Sequence, residues 1–490
     1  MWTCRRVVLS VVVLTVLLIA VVTAVARNAI AAEAPFVPFD LGTPGGNARA
    51  NAVNDGGRVV GVVFGPRFRA FSWTLAEGMI DLGNLGCVGD GEASAVNASG
   101  QIVGSVTSCD LSHRAFFWTP TGGMIDLGTL GGREATPFAM NDRGQVVGWS
   151  NPTGDFRLHA FSWTRAGGMI DLGTLGGTDS FALAVNASGQ VVGGTSGPGR
   201  NRAFSWTRAE GMIDLGTLGG TPDDFGTAVA ANDRGQVVGE SSLHGAQHAF
   251  SWTRADGMID LGTLGGPDSY ALDVNAGGQV VGGSNINDRF KIHAFSWTPV
   301  GGMVDLGVLG GAFDSSEAVA VNDRGQVVGA STRAGFWRAF SWTPAGGMVE
   351  LPALGEGTSE AVGVNASGQV VGASFAGDLG LRPILWQPLA KLGCRTTLAG
   401  CNLKGVNLTG AHLKDRNLSY TNLRGANLTR AYLAGADLSN ANLKGANLSH
   451  ANLTGANLAG ADVRDVIWFN TICPDGTSSD AHGSTCVGHL

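Results

Sequence analysis

The chain has 490 residues, of which 77 are glycine and 3 are tyrosine, and its formal net charge is −7 with 14% charged residues. An acidic and sparsely charged chain is unsuited to gripping a phosphate backbone, so we expect no nucleic-acid partner. The length predicts more than one domain, and the glycine content predicts many turns.

Residues 1–31 have the layout of an export signal. Arg5 and Arg6 precede an uncharged run over residues 7–26, and Ala29 and Ala31 stand at the small-residue positions of a cleavage site. The run is also long enough to span a bilayer, so an uncleaved anchor at residues 7–26 stays open. Both alternatives predict an extracytoplasmic protein, whether secreted, periplasmic or on the cell surface, with membrane contact only through an uncleaved N-terminal segment.

Tryptophan marks an internal repeat over residues 36–390. Each unit holds four short apolar runs bounded by turn residues, such as "FALAV", "QVVGG", "AFSWT" and "GMIDL", which we call strands a to d. Four strands in a unit of about 45 residues predict one blade of an all-β propeller. The eight tryptophans lie 43 to 46 residues apart, at Trp73, Trp118, Trp163, Trp206, Trp252, Trp297, Trp342 and Trp386.

The ends of the array predict an eight-bladed ring closed by its N-terminal strand. A spare strand d, "FVPFDLG" at residues 36–42, precedes the first unit, and the last unit stops at strand c, "PILW" at residues 383–386. The spare strand can complete the last blade and leave no open sheet edge. A linear solenoid is the alternative, although it has no reason for such an exchange.

The motif Asn-x-x-Gly follows strand a in the units, as in "VNDRGQVVG" at residues 321–329. Asparagine suits the first position of a type I turn and glycine its left-handed position, so the motif predicts a hairpin turn. A calcium loop is disfavoured because Asp142 is replaced by Ala187 and Ala366 in other units.

The hairpin between strands c and d predicts which side chains share a face. With a symmetric turn in "HAFSWTRAGGMIDLG", Phe161 and Trp163 share a face with Ile170, while Ser162 would hydrogen-bond Asp171 on the other face. We expect the recurring aspartate to be structural. We also expect no metal site at His159, His248 and His293, because they are scattered over separate units, and we expect no cofactor.

The phrases "HAFSW", "GGMIDLGTLGG" and "GQVVG", which recur in fixed order, resemble the HAF repeat family of exported bacterial proteins. The resemblance implies an extracellular location and provides no catalytic residues.

A second repeat places leucine at every fifth position from Leu398 to Leu458, with Val463 next. This pattern resembles the pentapeptide repeat family, which implies a right-handed quadrilateral β-helix over residues 394–470 with one pentapeptide on each side. Three lysines and five arginines against four aspartates in residues 395–465 argue against imitation of DNA. We expect a passive stalk or an interaction surface.

Six cysteines lie beyond the signal, and an even number in an exported chain favours disulfides. Six cysteines allow fifteen pairings, of which pairing between sequence neighbours is the simplest. The last pair would close a tail at residues 471–490 over the end of the leucine ladder. The predicted pairs are Cys87 with Cys109, Cys394 with Cys401, and Cys473 with Cys486.

The loops between strands b and c differ in every unit, and variable loops on a rigid scaffold are where recognition usually lies. Several of these loops combine an aromatic with a basic residue, which suits stacking on a sugar or contact with an acidic polymer. Ordinary exposed loop residues are the alternative. The candidates are Phe64 with Arg67, Phe156 with Arg157, Arg289 with Phe290, and Arg333 with Trp337.

These observations favour a non-enzymatic extracytoplasmic binding or scaffold protein whose partner is a cell-envelope protein or polysaccharide. One alternative is a cell-envelope hydrolase or lyase with its site at the propeller centre, although the units lack a distinctive catalytic set. Another is a passive structural surface protein.

Overall fold

The computed structural model describes residues 35–43, 46–86, 89–197, 201–221, 224–287, 291–311, 314–394 and 397–489. The export signal or anchor lies outside these ranges and stays a prediction. In the described ranges, no helix is both long enough and apolar enough to cross a membrane.

Within these ranges the chain forms eight four-stranded antiparallel sheets, each in the order a, b, c, d. The first strand is β1 (Phe36–Asp40). Blades 1 to 4 contain β2 (Ala48–Val53), β3 (Val59–Val63), β4 (Arg69–Thr74), β5 (Gly78–Asp81); β6 (Gly91–Val96), β7 (Ile102–Thr107), β8 (His113–Thr119), β9 (Gly123–Asp126); β10 (Gly131–Met140), β11 (Val146–Pro152), β12 (His159–Thr164), β13 (Gly168–Asp171); β14 (Asp179–Val185), β15 (Val191–Ser196), β16 (Arg202–Thr207) and β17 (Gly211–Asp214). Blades 5 to 8 contain β18 (Gly226–Ala231), β19 (Val237–Leu243), β20 (Ala246–Thr253), β21 (Gly257–Asp260); β22 (Ser269–Val274), β23 (Val280–Asn285), β24 (Ile292–Thr298), β25 (Gly302–Asp305); β26 (Ser316–Val321), β27 (Val327–Arg333), β28 (Phe336–Thr343), β29 (Gly347–Glu350); β30 (Ser359–Val364), β31 (Val370–Phe375) and β32 (Leu381–Pro388). Short 3₁₀ turns occupy Gly377–Leu379, Leu389–Leu392 and Ser479–His482.

The ring closes as the sequence predicts. β1 pairs antiparallel with β32, so that Phe36 lies opposite Pro388 and Asp40 opposite Ile384. The N-terminal strand is therefore strand d of blade 8, and the linear alternative is wrong.

Strand b is an inner strand of its sheet, and its two faces pack against the two neighbouring blades. Burial on both faces explains its consecutive valines. Val191 and Val192 are fully buried. Gly193 is required because a Cβ there would overlap the carbonyl oxygen of Phe181 on strand a. The close approach accompanies a bulge in strand a between Ala182 and Ala184.

The predicted faces of the c–d hairpin are wrong by one residue. Phe161 lies opposite Asp171, and Ser162 lies opposite Ile170. The cause is a three-residue turn, residues 165–167, followed by Gly168 with φ +65°, which makes the hairpin asymmetric. Ser162 therefore accepts a hydrogen bond from Gln145 Nε2 at 3.0 Å, and Asp171 contacts His159 instead.

The Asn-x-x-Gly turns also join the blades to one another. The Asn186 amide donates to the Asn232 carbonyl at 2.9 Å, and its Oδ1 accepts from the backbone of Gln190. The equivalent donation runs from every blade to the next and closes from Asn365 to the Asn54 carbonyl at 2.9 Å. The ring consists of Asn54, Asn97, Asn141, Asn186, Asn232, Asn275, Asn322 and Asn365.

A second set of contacts alternates around this ring. In every second blade an aspartate follows the asparagine and accepts a hydrogen bond from the backbone of an alanine in the preceding blade. These bonds join Ala366 to Asp55, Ala98 to Asp142, Ala187 to Asp233, and Ala276 to Asp323, at 2.7 to 2.9 Å.

Each outer strand d is joined to strand c by one contact between a carboxylate and an arginine or a histidine. Histidine and arginine occupy the same position as the partner of the carboxylate, and the contact in blade 8 reaches Asp40 on β1. Within the described ranges, no group of three or more His, Cys, Asp or Glu residues is placed to hold a metal. The pairs are Arg69–Asp81, Arg114–Asp126, His159–Asp171, Arg202–Asp214, His248–Asp260, His293–Asp305, Arg338–Glu350 and Arg382–Asp40.

Residues 397–473, here the C-terminal coil, repeat every twenty residues. Parallel bridges join Asn402 to Asn422, Asn407 to Asn427 and so on to Asn452 with Ile472, so four pentapeptides make one turn. The leucines from Leu398 to Leu458 are buried, and Trp468 and Cys473 continue their five-residue spacing. The internal ladder therefore extends beyond the predicted Val463.

Two of the predicted disulfides are present, one at each end of the coil. Cys394 is bonded to Cys401, and Cys473 is bonded to Cys486. Cys109 is also disulfide-bonded. Cys87 lies outside the described ranges, so its pairing with Cys109 stays a prediction.

The coil docks on the free edge of β1. The Asp40 N–H donates to the Gly410 carbonyl at 3.1 Å, and the His412 N–H donates to the Pro38 carbonyl at 2.8 Å. Phe39 forms an antiparallel bridge with Ala411 and is buried in a core shared by the propeller and the coil. β1 therefore has a hydrogen-bonded partner on both edges.

Candidate functional site

The propeller has two different rims. The turn rim carries the short a–b and c–d turns, and the loop rim carries the b–c and d–a loops. Exposed aromatic side chains gather on the loop rim, where Phe156 is 94% exposed, Phe336 47% and Trp337 42%. The loop rim is where the sequence predicts recognition.

Ring closure places four exposed aromatic residues and the half-buried Phe64 on three consecutive blades. We call the set the aromatic arc: Phe336 and Trp337 in blade 7, Phe375 in blade 8, and Phe64 and Phe68 in blade 1.

Contacts between loops join the three blades that carry the arc. Arg338 donates to the carbonyls of Glu356 and Gly357, and Phe375 lies against Gly357, so blades 7 and 8 are joined. Asn47 Oδ1 accepts from the Leu381 N–H at 2.8 Å and joins blade 8 to blade 1.

Arginines lie over the rings of the arc. The guanidinium of Arg49 is 5.9 Å from the centre of the Phe64 ring, and that of Arg338 is 5.7 Å from the Phe336 ring. Phe64 and Phe68 meet edge to face at 5.2 Å. Each distance is within reach of a cation–π or aromatic contact.

The aromatic and basic residues that the sequence predicts as neighbouring pairs have other partners in the structure. Phe64 is covered by Arg49, which comes from strand a, while Arg67 follows Phe64 in its loop. Arg333 lies opposite Phe336 and pairs with Glu350, whereas Trp337 lies opposite Thr332.

The other two candidate pairs lie outside the arc. Phe156 belongs to blade 3, where Arg157 pairs with Asp155 at 3.7 Å. Arg289 and Phe290 lie outside the described ranges.

Ionisable side chains on strands a and b form a second candidate region near the ring centre. The Tyr270 hydroxyl donates to Glu317 Oε1 at 2.6 Å across blades 6 and 7, and Glu240 accepts from the Gln247 amide. Burial raises the pKa of Glu240, and burial together with Glu317 raises the pKa of Tyr270. Burial also raises the pKa of Asp273 to about 6. On the opposite side, Arg49 pairs with Glu92 at 2.8 Å.

These arrangements could not be read from the sequence one unit at a time. The arc joins residues about 300 positions apart, and Tyr270 meets Glu317 only because equivalent positions of successive strands a are neighbours. An alignment of the eight units could have pointed to this region in part. The position held by Arg49, Glu92, Tyr270 and Glu317 varies strongly between blades, which is typical of a position outside the repeated structural framework.

The comparisons with known proteins identify the C-terminal region. The sequence profile of the pentapeptide repeats matches residues 395–430 and 431–467, with eight copies. No curated protein compared with the chain matches it.

The chain is similar to several solved structures. A puromycin hydrolase is 14% identical with a TM-score of 0.43, covering 69% of this chain and 58% of its own. Dipeptidyl peptidase 4 of Porphyromonas gingivalis is 10% identical with a TM-score of 0.45, covering 68% and 56%. Virginiamycin B lyase from Staphylococcus aureus is 10% identical with a TM-score of 0.38, covering 71% and 99%. This chain thus aligns with little more than half of each of the first two proteins, and these likenesses concern the fold alone.

Proposed function

We propose that the protein is a non-enzymatic extracytoplasmic binding or scaffold protein that recognises a cell-envelope protein or polysaccharide through its aromatic arc. The observation that carries the proposal is the exposure of several aromatic side chains on three consecutive blades. Exposed apolar patches of this kind mark interaction sites more often than chance.

The surroundings of the arc favour a ligand with both apolar and anionic or hydroxyl groups. Arg49 and Arg338 lie over aromatic rings, and Arg333 is exposed beside them. Aromatic faces with guanidinium groups suit the C–H faces of a sugar or the side chains of a peptide.

The C-terminal coil serves in this proposal as a stalk or a second interaction surface. The pentapeptide match supports a right-handed four-sided β-helix, and the HAF resemblance of residues 36–390 supports an extracellular repeat. Disulfides at both ends of the coil suit an oxidising compartment outside the cytoplasm.

Capture from solubilised cell envelopes, followed by glycan and peptide arrays, tests the proposal. We expect the wild-type chain to retain a ligand and Trp337→Ala with Phe375→Ala to weaken binding at least about tenfold, as loss of central aromatic contacts does. Phe156→Ala is the matched control, because Phe156 is the most exposed of these rings but lies outside the arc. Equal binding by the double variant and the wild type would contradict the proposal.

A second candidate is a hydrolase or lyase at the ring centre. It is favoured by the Tyr270 hydroxyl, which donates to Glu317, and by the raised pKa values of Tyr270 and Glu240. A panel of chromogenic glycosides and esters tests it. Turnover that is lost in Glu317→Gln and kept in Trp337→Ala would support the enzyme, and no turnover would reject it.

A further inference from the structure

On the turn rim, opposite the aromatic arc, blades 3 and 4 enclose a groove between them. The groove between blades 3 and 4 has a volume of about 270 Å³. Gln145, Ser162 and Ile170 of blade 3 form one wall, and Gly189 and Trp206 of blade 4 form the other. Its volume is close to the lower limit for small-molecule sites, roughly 300 Å³.

The tryptophan of strand c lies at the same place in every blade, but its exposure divides the blades into two groups. Four of these tryptophans are buried, at most 8% exposed: Trp73, Trp118, Trp163 and Trp386. The other four, in consecutive blades 4 to 7, are partly exposed: Trp206, Trp252, Trp297 and Trp342.

The side chain that the preceding blade places in front of the tryptophan explains most of this difference. Phe117 fills the groove before Trp163, with ring centres 5.5 Å apart. Leu385 packs in the same core cluster as Trp73. Arg58 extends towards Gly100 in the groove before Trp118.

Trp386 is buried for a different reason, because its indole N–H donates a hydrogen bond to the Pro352 carbonyl at 2.7 Å. The repeat places equivalent grooves at the four blade junctions whose tryptophan is partly exposed, and we call these the open grooves. There the preceding blade has a serine where Phe117 and Leu385 stand: Ser162, Ser205, Ser251 and Ser296.

The open grooves share polar chemistry as well as the indole. In each one a glutamine amide donates to the serine hydroxyl at 2.8 to 3.0 Å. The charged residues differ, since the position two residues after the tryptophan holds Arg208, Arg254, Pro299 and Pro344 in turn. The common ligand chemistry is therefore neutral.

We propose that the four grooves holding Trp206, Trp252, Trp297 and Trp342 bind neutral sugar units of a repeating polysaccharide. The apolar edge of an indole suits the C–H face of a sugar ring, and glutamine and serine suit its hydroxyl groups. Four neighbouring copies let one polymer engage several weak sites together, which raises the overall affinity.

Titration of the full-length protein with neutral hexasaccharides of glucose, xylose and N-acetylglucosamine tests the proposal, with tryptophan fluorescence and calorimetry as readouts. We expect at least one of these probes to bind at about four equivalent sites. Ser162→Phe copies the side chain that blade 2 already carries and should remove about one site. Combining it with Ser205→Phe, Ser251→Phe and Ser296→Phe should remove all four sites and with them the measurable binding.

The reverse change gives a gain of function that a folding defect cannot imitate. Phe117→Ser should open the groove before Trp163 and raise the number of sites from about four to about five. Binding of none of the hexasaccharides, or equal binding by the fourfold variant, would overturn the inference. Because the aromatic arc lies on the other rim, Trp337→Ala should leave this binding unchanged, which separates the two proposals.

Discussion

The propeller and the C-terminal coil are both stacks of short repeats, and they differ in how the stack ends. In the propeller the first strand completes the last blade, and the asparagine ring closes from Asn365 to Asn54. The coil is linear, so its apolar ladder has two ends, and each end carries a disulfide. A linear stack needs caps, whereas a closed one needs only a strand from elsewhere in the chain.

β1 completes blade 8 and also binds the first turn of the coil, so a substitution in β1 should have the largest effect on both regions. Phe39→Ala removes a buried ring at the junction and should cost about 3 to 5 kcal/mol of unfolding free energy. We expect denaturation followed by hydrogen exchange to show loss of protection in blade 8 and in the first turn of the coil together.

Phe295→Ala is the matched control, because Phe295 is equally buried in blade 6. It should destabilise the propeller and leave the coil protected. Loss of coil protection in this control, or its retention in Phe39→Ala, would contradict the role assigned to β1.

Removing the terminal cap should affect the coil alone. Cys473→Ser with Cys486→Ser opens a loop with a sequence separation of 13 residues and should cost the coil about 3 kcal/mol. Calorimetry should show an earlier coil transition with the propeller transition unchanged. A parallel shift of both transitions would show that the two regions unfold as one unit.

Acid should loosen the junction through His412. Burial lowers its pKa to about 4, with Lys414 acting in the same direction and Asp40 and Asp415 opposing. The unfolded chain, whose histidine pKa is about 6.5, binds a proton that the folded chain does not, so stability falls as the pH drops from about 6.5 to about 4. The full loss is roughly 3 kcal/mol.

His412→Gln should flatten this part of the pH profile of stability. His450→Gln is the control, because His450 lies on the coil away from β1, and it should keep the acid dependence of the wild type. An unchanged profile in His412→Gln would refute the assignment.

Opening the asparagine ring should affect the propeller alone. Asn186→Ala leaves the Asn232 carbonyl without its buried donor and should cost about 2 kcal/mol. Ser188→Ala keeps the ring bond and should cost much less. Chemical denaturation of both variants measures the difference, and equal losses would show that the ring bond contributes nothing.

The spacing of the tryptophans and the spare strand were sufficient to predict eight blades and their closure. The faces of the c–d hairpin were missed because Gly168 adopts a left-handed conformation after a three-residue turn, which shifts the pairing by one residue. Asn186 was assigned correctly to a turn, but its bond to Asn232 depends on a neighbour 46 residues away.

The candidate site was less predictable than the fold, because its contacts join residues that are far apart in the sequence. Local pairing in one loop suggested Phe64 with Arg67, whereas the ring brings Arg49 over Phe64 and places Phe375 beside blade 7. The docking of the coil on β1 had no local signal, because both edges of that strand look alike in sequence.

The alternation of aspartate and alanine at the inner turns has a consequence for the size of the ring. Each alanine N–H needs an aspartate in the following blade, so the structural period is a pair of blades rather than a single one. A circle with one blade more or fewer would bring two like turns together and leave one of them unmatched. The inner turns therefore favour an even number of blades. A propeller of this family of repeats can keep every alanine N–H paired with an aspartate only if blades are added or removed two at a time.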